Sequence, residues 1–131
     1  MTRDEFIKNY EDLARKAIGM SDKSRREGLL ALENIIDPEK VKERDIFEYG
    51  IRFVVDGVDS AIINNILTNI IAQEKDEYTR KFKEIQKEAV LQIQSGVNYR
   101  ILFAVINSFT DLSHTDETIK IFTEDLKEPD L

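Results

Sequence analysis

The chain has 131 residues, of which 41% are apolar and 34% are charged, and this length is enough for one folded domain with a sizeable core. Its 26 acidic residues outnumber its 19 basic residues and give a net charge of −7, which argues against non-specific binding to nucleic acid or anionic membranes, because both need a basic excess. The absence of cysteine excludes disulfide bonds and thiolate metal sites.

Apolar residues recur at steps of three and four residues almost throughout the chain. This period predicts α-helices, and no clean two-residue alternation indicates a strand. The first helix is expected over about residues 3–18, where Gly19 is placed to end it. A second helix is expected to run to Ile36 after a cap at Ser21 or Asp22.

The third helix is predicted to begin at Asp37-Pro38, where a side-chain acceptor precedes a proline at the first helical position. Gly57 suits a left-handed cap at its end. Asp56 lies at this C-terminal end, where the helix dipole disfavours a negative charge. We expect compensation from Arg52 one turn earlier or from free amides at the start of the next helix. Asp56, Gly57 and Asp59 are therefore predicted to form a structural turn.

A fourth helix is predicted from Asp59 to Ser95, before Gly96. Its 37 residues are many for a helix in a compact domain. Either a break near residues 74–80 or a packing face for another copy of the chain would account for this length.

Two shorter helices are predicted after Gly96, the first over 98–108 and the second over 115–126. Residues 97–109 are apolar nearly all round, which is typical of a helix buried in a core or between subunits. Residues 111–131 contain seven acidic residues against two lysines, so the last helix should be acidic and solvated. The predicted fold is all-α: residues 1–131 form a single helical bundle with one long central helix and no sheet.

No apolar run in the chain is long enough for a membrane span. The apolar stretches 60–73 and 101–110 contain no charged residue, but a spanning helix needs about 20 apolar residues. The first residues also lack the apolar run of a signal peptide. We therefore expect a cytoplasmic protein that does not insert into membranes.

Signals for catalysis are weak. His114 is the only histidine, and no Glu-Xaa-Xaa-His spacing accompanies it to suggest a metal site. The five glycines are scattered singly, so no phosphate-binding loop is indicated. Neighbouring carboxylates such as Asp116 and Glu117 fit an exposed helix face better than acid–base catalysis, which needs a shielded environment. We expect no enzyme activity, no cofactor and no metal.

Three segments resemble, in order and spacing, the cytoplasmic part of MotA, a stator protein of the flagellar motor. They are Ser-Arg-Arg-Glu-Gly-Leu-Leu-Ala-Leu-Glu at 24–33, Asp-Pro at 37–38 and Phe-Val-Val-Asp-Gly-Val-Asp at 53–59. The resemblance covers about residues 11–75 and implies a partner in the motor: the rotor protein FliG or another stator or collar component. The membrane helices of MotA have no counterpart here, so proton conduction, torque generation and a pentamer are not implied. Residues 80–131 have no counterpart in MotA.

The resemblance also implies partner-binding residues. A MotA arginine and glutamate that contact charged residues of FliG fall on Arg25 and Glu33, and Arg26 lies beside the first. On one continuous helix these two would lie about 12 Å apart along the axis and about 80° apart around it, so both could reach one partner. The alternative is that they are ordinary solvated charges. Gly28 would lie inside this helix at a cost of about 1 kcal/mol, which close approach of another helix would explain.

Two functions follow from these observations. The first is a non-enzymatic interaction protein at the flagellar motor. The second is a self-associating scaffold, a homodimer or larger homo-oligomer, in which the helix over 60–95 is the interface.

Overall fold

The computed structural model describes residues 1–124 and residue 126, and those residues form seven α-helices and one 3₁₀ segment, without a strand. The helices are α1 (Arg3–Glu27), α2 (Pro38–Lys42), α3 (Ile46–Val55), α4 (Ser60–Ile71), α5 (Glu77–Ser95), α6 (Tyr99–Asn107) and α7 (Asp116–Thr123), and the 3₁₀ segment is Leu29–Ile35. The all-α prediction is confirmed. The predicted last helix extended past Thr123, and Asp125 and residues 127–131 lie outside the described residues.

The first two predicted helices have the wrong boundaries. α1 continues through Gly19, because Ile18 and Met20 on either side of it are buried in the core. That packing outweighs the roughly 1 kcal/mol cost of a glycine in a helix. Ser21 is consequently a buried residue within α1 and does not cap a new helix.

α1 ends at Gly28, so the prediction that Gly28 lies inside a closely packed helix is wrong. Gly28 has a φ of 90°, which favours glycine, and its N–H donates to the carbonyl of Ser24 at 2.8 Å. A Cβ at this position would meet no atom within 4 Å. The chain then continues as the 3₁₀ segment, in a new direction.

The third and fourth predicted helices are each divided in two. Arg44 adopts a φ of 58° after α2, and Asp45 then caps α3 by accepting from the amide of Glu48 at 3.0 Å. α4 ends before Ala72, and Asp76 caps α5 by accepting from the amide of Thr79 at 3.0 Å. The expected break in the long span is confirmed, whereas a single continuous helix from Asp59 to Ser95 is wrong.

α5 lies at the centre of the fold and packs against α1, α3, α4 and α6. The core includes large side chains from most of these helices, namely Tyr10, Ile18, Phe47, Ile51, Ile63, Leu67, Ile85, Ile93 and Phe103. The Tyr10 hydroxyl donates to Asn107 Oδ1 at 2.6 Å inside the core and so joins α1 to α6. Of the two locations predicted for residues 97–109, a core or a subunit interface, Leu102, Phe103 and Ile106 lie in the core of this chain.

Helix α3 lies close to α5 at Gly50. A Cβ on this α3 residue would lie 2.7 Å from Cγ2 of Val90 in α5 and 3.1 Å from Cδ1 of Leu67 in α4. Distances below 3.0 Å require the neighbours to move, and Val90 is itself fully buried. Gly50 therefore sets the distance between α3 and α5.

We predict that Gly50→Ala lowers the free energy of unfolding by about 1–3 kcal/mol, because the added methyl group overpacks this contact. The matched control is Gly19→Ala, whose Cβ would meet nothing within 4 Å. This control should raise stability by about 0.5–1 kcal/mol, since alanine is the better helix former. Urea unfolding followed by circular dichroism measures both changes, and a neutral Gly50→Ala would contradict the packing described.

Candidate functional site

Arg25 and Arg26 lie in the last turn of α1 and are both exposed. The Arg25 guanidinium donates a hydrogen bond to the carbonyl of Gly96, at the turn between α5 and α6. The hydroxyl of Ser21 donates to the carbonyl of Val97 in the same turn at 3.1 Å. Arg26 contacts Asp22, one turn earlier, through Nε at 2.9 Å. The end of α1 is thus fixed to the fold while both guanidinium groups remain at the surface.

Glu33 lies in the 3₁₀ segment and approaches α3 rather than α1. Its Oε1 is 3.9 Å from Nη1 of Arg52, whose Nη2 contacts Asp56 Oδ1 at 3.0 Å. Arg52 is one of the two groups expected to compensate the negative charge of Asp56, and it makes the ion pair with that residue. Gly57 follows with a φ of 77°, and Asp59 caps α4 by accepting from the amide of Ala61 at 2.9 Å.

The expected geometry of Arg25 and Glu33 is wrong, because the two residues do not share a helix. The chain leaves α1 at Gly28, and a 3₁₀ helix turns every three residues. Residues three apart in such a helix eclipse each other, which places Leu30 over Glu33. Leu30 is 70% exposed and Leu32 is fully buried.

Leu30 is a surface residue that the sequence pattern did not single out. We call the exposed side chains of Arg25, Arg26, Leu30 and Glu33 the motif surface. It combines two cations, one apolar side chain and one anion on a segment of nine residues. Such a mixture can bind a protein that presents acidic groups around an apolar contact.

Glu48 fixes the end of the 3₁₀ segment that leads away from the motif surface. This α3 residue is fully buried, and its carboxylate accepts hydrogen bonds from the Lys16 ammonium and, at 3.2 Å, from the amide of Asp37. It therefore connects α1, α3 and the start of α2. The sequence contains one signal for the burial of Glu48. Ile51 and Val55 follow it by three and seven residues, so this acidic residue lies on the apolar face of the helix.

The single histidine lies at the surface. His114 is exposed and packs edge-on against Phe103, with ring centroids 5.0 Å apart. In the part of the chain that the structure describes, no group of three or more His, Asp and Glu side chains is arranged to hold a metal ion. Within the same residues, no helix combines the length and apolar character needed to span a bilayer.

Comparison with known proteins gives one informative similarity. Over 83 residues, which are 62% of its length, the chain is 31% identical to Motility protein A of Treponema phagedenis. The chain spans 30% of the length of that relative. No protein-family model and no solved structure matches the chain. The chain is thus similar to part of a motility protein.

We predict that Lys16→Met lowers the free energy of unfolding by about 2–3 kcal/mol, because it leaves the buried Glu48 carboxylate without a countercharge. This loss of stability is smaller than is usual for breaking a fully buried ion pair, because the Lys16 side chain is 37% exposed. Lys42→Met removes an exposed pair with Glu39 and should change stability by less than about 0.5 kcal/mol.

The double variant Lys16→Met/Glu48→Gln should recover more than half of the loss, because the amide is neutral and its oxygen still accepts from Asp37. Urea unfolding of the wild type, Lys16→Met, Glu48→Gln and the double variant measures the coupling between the two side chains. Additive losses in the double variant would show that the pair does not interact as described.

Proposed function

We propose that the protein is a non-enzymatic, cytoplasmic interaction protein of the flagellar motor, which binds FliG or another motor component through the motif surface. The observation that carries the proposal is the exposure of Arg25, Arg26 and Glu33 around Leu30. The partial similarity to Motility protein A supports a partner in the motor.

The contacts of the motif surface within the chain leave its charges available to a partner. Arg25 donates to a backbone carbonyl, which does not neutralise its charge. Arg26 and Glu33 make surface ion pairs, and such pairs contribute about 0–1 kcal/mol. A partner that supplies a carboxylate can therefore replace them at little cost.

The composition of this surface determines how binding should respond to salt. Exposed charges accelerate association and lose their effect as the screening length falls to about 8 Å at physiological ionic strength. Leu30 supplies an apolar contact that salt does not weaken. Binding to an acidic patch should therefore weaken with salt without being abolished.

We predict that Arg25→Glu weakens binding to a purified C-terminal domain of FliG by about three- to tenfold at low salt, because it reverses one exposed charge. Fluorescence anisotropy at several salt concentrations measures the dissociation constant. The matched control is Lys8→Glu, an exposed position in α1 that lies about 25 Å along the helix from Arg25 and makes the same change in net charge. Unchanged affinity in Arg25→Glu, or an equal loss in Lys8→Glu, would contradict the proposal.

A second candidate function, self-association, is favoured by one face of α4. Residues 60–73 contain no charged side chain, and Ile62 in this stretch is 54% exposed. Two copies that each carry a charge of −7 repel each other least where their surfaces are uncharged. The apolar stripe of α5 is buried within the chain, so this interface would involve α4 rather than the whole span 60–95.

If α4 forms this interface, Ile62→Lys should convert an oligomer into a monomer, because a buried charge would face its own copy. Light scattering over a range of concentrations measures the mass. The control is Ile121→Lys, which places the same charge at an equally exposed isoleucine of α7. A monomeric wild-type protein at all concentrations would exclude this second function.

A further inference from the structure

An open groove of about 650 Å³ lies between the 3₁₀ segment, the turn from α3 to α4, and α5. Its apolar lining consists of Leu29, Val54, Val58, Ala61 and Leu91. The volume falls within the range of about 300–1,000 Å³ that is ordinary for ligand pockets. It is enough for several side chains of a bound segment.

The charged residues of the groove are all acidic. Asp59 and Glu88 line it, and no lysine or arginine does. Among the residues that the structure describes, neither carboxylate has a cation within ion-pair distance. Asp59 accepts from the amide of Ala61, and Glu88 accepts from the side chain of Gln92 at 3.1 Å. The groove therefore offers two carboxylates that a cation of a partner can pair with.

Gln94 lines the groove and holds the turn between α3 and α4 against α5. Its Nε2 donates to the carbonyl of Val58 at 2.7 Å, while its Oε1 is buried and accepts no hydrogen bond from the described residues. Exchanging the two amide atoms would bring two oxygens together at Val58, so this contact fixes the orientation of the side chain. The hydrogen bond therefore keeps Val58 in place as part of the apolar lining.

We propose that this groove binds a short segment of another protein in which apolar side chains are flanked by lysine or arginine. The apolar residues would occupy the floor formed by Val58, Ala61 and Leu91. The flanking cations would meet Asp59 and Glu88. This is charge complementarity around an apolar contact, the arrangement by which helices dock in grooves.

The carboxylates of Asp59 and Glu88 disfavour three other ligands of this groove: phosphate groups, anionic lipids and a second copy of the chain. Phosphate groups and anionic lipids would meet two unpaired carboxylates without a compensating cation. A second copy of the chain would carry a net charge of −7 and would on average be repelled by these carboxylates. None of the four residues of the motif surface lines the groove, although Leu29 belongs to the same segment of the chain. The inference does not depend on the identity of the motor partner.

The test uses a fluorescein-labelled synthetic peptide of 12 residues, with leucines on one helical face and lysines on either side of them. A second peptide carries glutamate at every lysine position. We expect anisotropy to show that the lysine peptide binds the full chain at least tenfold more tightly than the glutamate peptide, because the groove attracts cations and repels anions.

Two variants examine the groove itself. Ala61→Trp fills the floor and should weaken binding of the lysine peptide about tenfold or more. The double variant Asp59→Asn/Glu88→Gln removes both charges, while asparagine still caps α4. It should weaken binding about three- to tenfold and flatten the salt dependence.

The controls make the same changes elsewhere. Ala72→Trp places tryptophan at the exposed far end of α4, and Glu39→Gln/Glu43→Gln removes two exposed charges outside the groove. Both controls should bind as the wild type does, and circular dichroism establishes that all four variants are folded. Equal binding of the two peptides, or equal loss in a variant and its control, would overturn the proposal. So would light scattering that shows an oligomer which Ala61→Trp dissociates, because a second copy would then fill the groove.

Discussion

The buried carboxylate of Glu48 is the constraint on which the arrangement of the first half of the chain depends. Removing a carboxylate from water costs several kcal/mol, so Glu48 must keep both Lys16 and the amide of Asp37 as partners. Because these groups belong to α1 and to the start of α2, α3 holds both of them in place. The 3₁₀ segment connects α1 to α2. Because both of these helices are held by Glu48, the positions of the exposed residues in the 3₁₀ segment also depend on it.

The sequence was sufficient to predict the helical class and most helix starts, because both depend on local chemistry. Asp59, Asn98 and Thr115 each cap the helix that follows them, as their side chains allow. The boundaries at Gly19 and Gly28 could not be predicted in this way. The two glycines look alike in the sequence, and only the burial around Gly19 shows that the helix continues there.

The same distinction applies to the candidate site. The charges of Arg25, Arg26 and Glu33 were enough to expect them at the surface, since isolated charged groups are rarely buried. The relative positions of these three residues could not be predicted, because they depend on the change from α-helix to 3₁₀ helix after Gly28. The break before α3 was missed although Asp45, three residues before Glu48, is a usual cap residue. The preceding turn requires a positive φ at Arg44, which arginine rarely adopts. By contrast, the contact of Arg52 with Asp56 follows from their one-turn spacing.

The hydrogen bonds of α1 to later parts of the chain affect the order in which the fold forms. α1 is synthesised before the other described helices, yet Arg25, Ser21 and Tyr10 bind groups that lie 71, 76 and 97 residues later in the chain. Contacts at such separations form late, because the entropy of closing a long loop is lost before the contacts that stabilise the loop have formed. The end of α1 therefore becomes fixed to the fold only after α5 and α6 have been synthesised.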